Sequence, residues 1–144
     1  MRFWILNLIV FLVSFQAFGQ IETTPLTKTT LVVLGTAQDA GSPQINCTKN
    51  CCRAIFEGKK ERTPVVSLGV IDPINQKQFL FEATPNITQQ LRILKINAPS
   101  KVNEIPAAIF LTHAHIGHYT GLMYLGKEVM NAKQVPVYVY PKMK

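Results

Sequence analysis

The chain has 144 residues, 47% of them hydrophobic, and its 15 basic and 8 acidic side chains give a formal charge of +7. That length suits one domain and is short for two. The basic residues are scattered apart from Lys59-Lys60 with Arg62 and the tail Lys142 to Lys144, with no interleaved aromatic stripe, so they read as solvated surface and no nucleic-acid partner is expected.

The amino terminus reads as a targeting segment. Met1-Arg2 is a minimal positive start, Phe3 to Val13 is apolar, and Ala17-Phe18-Gly19 precedes a cut at Gln20, so residues 1–19 are expected to be a signal peptide and the mature protein periplasmic or secreted. A single-pass anchor is the competing reading, but it wants about 20 apolar residues, and Ser14 and Gln16 interrupt this run. Cleavage would remove Arg2 and lower the charge from +7 to +6, with no stable membrane association afterwards. Residues 20–30, threonine-rich with Pro25, read as a linker. The domain is expected over 31–144.

Leu31 to Leu34 is an apolar run ended by Gly35 and predicts a buried strand. Thr36 to Gln44 follows as a loop punctuated by Gly41 and Pro43. Cys47, Cys51 and Cys52 come next. In an exported chain a disulfide is the default, leaving one thiol over. Adjacent Cys51 and Cys52 are poor partners, because neighbouring Cα atoms sit about 3.8 Å apart and disulfides usually span about 4.4–6.8 Å. The alternative is a structural metal site with a fourth ligand from elsewhere. The residues leave both open.

Cys52 to Arg62 reads as a short helix or loop. Val65 to Ile71 predicts a strand, Asp72 to Asn75 a turn, and Gln78 to Glu82 the antiparallel partner. Thr84-Pro85 opens a helix over Asn86 to Lys95, with Ile87, Leu91 and Leu94 on one face. A polar connection, Asn97 to Glu104, leads to an apolar strand over Ala107 to Thr112. A helix over Tyr119 to Met130, striped by Leu122, Leu125 and Val129, and a strand over Val135 to Tyr140 complete the order. Met123 and Met130 are expected as core filler.

All three histidines, His113, His115 and His118, fall within six residues at the end of the fourth strand. Alternation along an extended segment puts His113 and His115 on one side, about 6.6 Å apart, where two imidazoles can close on one ion at roughly 2.0–2.1 Å each. Gly117 breaks the extended run, and His118 in the next turn would face the same cleft. One such histidine would read as a polar loop residue, whereas three at this spacing point to a metal.

The run Thr112 to His118, THAHIGH, with Tyr119-Thr120-Gly121-Leu122 after it, resembles the HxHxDH motif of the metallo-β-lactamase fold superfamily. Val33 to Cys47, VLGTAQDAGSPQINC, resembles the opening of its pyrroloquinoline quinone biosynthesis protein B branch, which carries a cysteine zinc site apart from the histidine site. The resemblance implies an α+β fold, the first half of an αββα sandwich, and metal-dependent hydrolysis of a small-molecule substrate. It assigns His113 and His115 to one zinc ion and gives His118 a catalytic place, holding a second ion or steadying the water. Glu82 matches the acidic strand end beneath the motif, where it would orient a metal-bound imidazole; a strand-end surface charge is the alternative. Gly117 stands where the superfamily has aspartate, so one zinc ion is expected rather than two, with weak activity.

Tyr119 to Lys144 holds no His, Cys or Asp, so the ligands of a second half are expected to lie outside this chain. Half a sandwich leaves one apolar face without a partner, and poor solubility or a homo-oligomer is expected of the chain alone. Three readings follow: a truncated or weak hydrolase, a metal-binding module without catalysis, and a redox enzyme like the quinone-biosynthesis branch, for which iron would replace zinc.

Overall fold

In the computed structural model, residues 26–144 are described; the signal-peptide segment and the start of the linker lie outside them. Three strands, β1 (Thr30–Gly35), β2 (Ser67–Asp72) and β3 (Lys77–Phe81), pair antiparallel in sequence order. β4 (Ala108–Leu111) then joins β3 in parallel, and β5 (Val137–Val139) joins β4 in parallel, giving a five-stranded mixed sheet in the order β1-β2-β3-β4-β5. The β2–β3 hairpin closes on Asp72, whose Oδ1 accepts the N–H groups of Ile74 and Asn75 at 3.1 and 3.0 Å. A parallel neighbour cannot be reached through a tight turn. The chain crosses between β3 and β4 through the helix Ile87–Asn97, called α2 because the short helix Asn50–Phe56, α1, precedes it.

The core lies between one sheet face and α2. Ile71, Leu80 and Ile109 from the strands and Leu94 from the helix are fully buried, joined by Leu34, Ile87, Leu91 and Leu111. Burying one such side chain stabilises by roughly 1.5–3 kcal/mol. Gly69 makes the close approach: a Cβ there would run into the Leu94 side chain. Two of the buried polar groups under α2, Thr84 and Gln90, satisfy each other. Gln90 accepts from the Thr84 hydroxyl at 2.7 Å and donates to the Val65 carbonyl at 2.8 Å, which fixes the chain leaving β3.

The other sheet face is apolar and only half covered. Val70, Phe79, Phe81 and Phe110 line a shallow hollow there. Phe81 stacks on Phe110 at 4.9 Å and Phe110 on Tyr138 at 5.0 Å, and Leu31 and Val33 stand exposed on β1. This is the open face expected of half a sandwich. Among the described residues no helix is long and apolar enough to cross a membrane.

Besides β1, expected to be buried but exposing Leu31 and Val33 on one face, three expectations need correction. The strand predicted from Val65 begins at Ser67, because the Val65 N–H is taken by the Asn86 side chain at 2.9 Å and Val65 bridges to Ala37. The helix predicted over Tyr119 to Met130 is instead a single turn, α3 (Ile116–Tyr119), followed by a 3-10 segment Thr120–Leu125. Gly121 explains the break: its N–H donates to the Ala83 carbonyl at 2.8 Å, and the backbone of Ala83 and Thr84 fills the space where a side chain would stand. Leu122, Leu125 and Met130 still pack on the core, but Val129 and Met123 are exposed, Met123 by 73%, so Met123 is not core filler.

Candidate metal centre

The ladder of β4 ends at Leu111, so His113 and His115 lie beyond the strand and are not brought together by strand alternation as predicted. The loop does it: their ring centroids are 4.5 Å apart, edge to face. The chain then turns into α3, and His118 comes to 4.1 Å from His113. His113 is the common neighbour. Of the three, His113 and His115 are exposed and His118 is buried. The turn is pinned from below, since Ala83 donates its N–H to the His118 carbonyl at 2.8 Å.

Glu82 is the pivot of this arrangement. Its N–H still donates to the Phe110 carbonyl at 2.9 Å, but its φ of 71° lies in the left-handed region, which β-strand residues avoid and which functional sites tend to retain. The turn carries its carboxylate under the end of β4. There Oε1 accepts the Thr112 N–H at 3.2 Å and Oε2 lies 3.1 Å from His118 Nδ1. With only 6% of its surface exposed, Glu82 is no surface charge. The approach to His118 is close in distance but not aligned as a hydrogen bond, so His118 Nδ1 is buried without a hydrogen-bond partner.

Each imidazole has an oxygen against Nδ1. Thr112 Oγ1 lies 2.8 Å from that of His113, Asp39 Oδ2 3.2 Å from that of His115, and Glu82 Oε2 beside that of His118. At His113 and His118 such a partner sets the orientation of the other ring nitrogen. The three rings nevertheless meet in pairs. Among the described residues, only the cysteine trio brings three donor atoms all within 4.8 Å of one another.

That trio spans the loop leading into α1, which holds Cys47, and the first turn of α1, which holds Cys51 and Cys52. Cys47 and Cys52 are joined, with Cα atoms 6.0 Å apart, and Cys51 is free and exposed. The pairing follows the reading that adjacent cysteines do not bond. Asp39, in the loop after β1, is the residue at this centre that sequence reasoning missed. Nothing in its spacing relates it to the histidines.

The chain has the metallo-β-lactamase type of fold, α+β and matching an amino-terminal portion of it. Within that class its sequence relatives are coenzyme PQQ synthesis protein B. It is 32% identical over 113 residues to that protein from Cupriavidus taiwanensis, covering 76% of this chain and 36% of the relative. It is 33% identical over 100 residues to the protein from Cupriavidus necator, covering 67% and 33%. Among solved structures, Zn(2+)-bound PqqB from Methylobacterium extorquens matches with a TM-score of 0.60 at 24% identity, over 78% of this chain and 38% of that one. A diphosphatase from the PhnP family matches with a TM-score of 0.56 at 25% identity, over 79% and 42%. The chain thus spans about a third of the length of the curated relatives it matches. No family model matches it.

Proposed function

We propose that the chain supplies the histidine side of an exported, metal-dependent hydrolase of the metallo-β-lactamase fold, acting on a small substrate with a phosphoryl or carbonyl centre. The observation that carries this reading is His118 Nδ1, an imidazole nitrogen buried beside the Glu82 carboxylate with no hydrogen-bond partner. A proton on this nitrogen, turned toward the Glu82 carboxylate, leaves Nε2 as the lone-pair nitrogen for a cation. The donor chemistry fits zinc, which takes imidazole nitrogens and carboxylate oxygens. His113, His115 and His118 would hold one ion, and Gly117 offers no side chain for a second. When bound, an ion of this kind polarises the substrate oxygen and brings the pKa of its water toward about 7. The chain's own part is orientation. Glu82 fixes His118 from the buried side, and the exposed His113 and His115 leave the mouth open to substrate.

A second reading, prompted by the likeness to coenzyme PQQ synthesis protein B, is redox chemistry at the same histidines, for which iron would stand in place of the zinc bound in the solved PqqB. Metal analysis of the purified intact protein, with turnover of diphosphate, phosphodiester and lactam substrates, separates the two. Zinc with hydrolysis that His113→Ala abolishes supports the first; iron without hydrolysis supports the second. Absence of metal, or turnover indifferent to His113→Ala, overturns both. Export predicts a mature chain beginning at Gln20 in the periplasmic or culture fraction; an intact Met1 on cytoplasmic protein would contradict it.

A further inference from the structure

The histidine motif lacks a carboxylate at position 117, and the structure shows what stands in its place. A Cβ built on Gly117 would lie 2.5 Å from the Cβ of Asp39, and closer still to the Asp39 Cα and carbonyl oxygen. Asp39 therefore occupies the volume that a side chain at 117 would need. Its carboxylate is not idle there, since Oδ2 lies 3.2 Å from His115 Nδ1 without the alignment of a hydrogen bond. Two donors each about 2.0–2.2 Å from one tetrahedral ion stand roughly 3.4 Å apart, close to this separation.

The loop that presents Asp39 is fastened on both sides. Thr36 and Ala37 donate their N–H groups to the Pro64 carbonyl at 3.1 and 2.9 Å, and Val66 donates to the Ala37 carbonyl at 2.8 Å. Beyond Asp39, Gly41 N–H donates to the Gln38 carbonyl at 2.9 Å, and the Gln38 side chain accepts the Ala40 N–H at 2.9 Å. The side chain is two-thirds buried, on the exposed side of His115, opposite in character to the enclosed Glu82.

We propose that Asp39 is the anionic ligand of the histidine centre, delivered from the β1–α1 loop to the place that glycine leaves vacant at position 117. The proposal rests on the metal reading of the histidines given above. It changes what that reading predicts, because a carboxylate restores the charge compensation that imidazoles alone cannot give a divalent ion.

The test is cobalt(II) titration of the intact protein, read by the visible d–d bands and by competition with a chromophoric chelator. Thiolate charge-transfer absorption separates any binding at the cysteines. Asp39→Asn should weaken the histidine-site affinity by about 10–100-fold or more, the scale on which even an outer partner of a ligand acts, and should shift the d–d bands. If Asp39→Asn titrates like the unaltered protein with unchanged bands while His113→Ala weakens binding, the carboxylate role is overturned and the metal reading survives. If His113→Ala also binds unchanged, both fall.

Discussion

The cysteine cluster and the histidine cluster are assembled in opposite ways. Cys47, Cys51 and Cys52 are neighbours in sequence, sit in one loop and the helix it enters, and bring three sulfurs within 4.8 Å almost without help from the sheet. The histidines are also neighbours in sequence, but what surrounds them is not. Glu82 comes from the exit of β3, Asp39 from the loop after β1, and Ala83 pins the turn from beneath. A locally built cluster should survive changes in the core, whereas a cluster built by the sheet should move with it.

The strongest test of that contrast is Leu80→Ala. Leu80 is fully buried in β3, the strand that leads into Glu82, and its truncation should cost about 2–5 kcal/mol by urea unfolding. It should also loosen metal binding at the histidines, with Cys51 alkylation in the folded protein unchanged; equal disturbance of both clusters would erase the distinction. Glu82→Gln comes next. It keeps the shape but removes the charge, and should lower metal affinity at the histidines by about 10–100-fold in the chelator competition, leaving the thiolate band alone. Cys52→Ser should lower stability by about 2 kcal/mol, as expected for a short closed loop, with histidine-site affinity unaffected. A parallel loss of histidine-site metal would show that the two are coupled.

The smallest effect is expected far from both clusters, at the hairpin turn. The side-chain and backbone hydrogen bonds of Asn75 hold the Asp72 carboxyl below its ordinary pKa, against an upward push from burial and with smaller help from the Ile74 N–H and Lys77. A folded pKa below the unfolded one means stability that is present above the ordinary aspartate range and lost as pH falls through the folded value. Asp72→Ala should therefore lower Tm slightly at neutral pH and by less in acid, with no change at either cluster.

The sheet was legible because its strands are dense apolar runs with turn residues between them. Ile87, Leu91 and Leu94 likewise announced the buried face of α2. Where sequence reading failed, a contact from elsewhere in the chain had decided the matter. Tyr119 to Met130 has the spacing of a helix, but the Ala83 carbonyl captures the Gly121 N–H and the backbone there presses on Gly121. At the centre, the histidines and the acidic strand end could be picked out by residue type. The burial of Glu82 excludes the surface-charge reading that sequence left open. Asp39 was invisible because its nearness to Gly117 depends on how the β1–α1 loop folds back, and no pattern along the chain encodes that.

The left-handed backbone at Glu82 has a bearing on how this protein would respond to selection for heat resistance. Glycine or asparagine would sit there more comfortably, by about 1 kcal/mol, so hardening the scaffold and emptying the buried side of its chemistry would favour the same substitution. Thermostable descendants that keep an acid at this position despite the discomfort would mark it as retained for work rather than for folding.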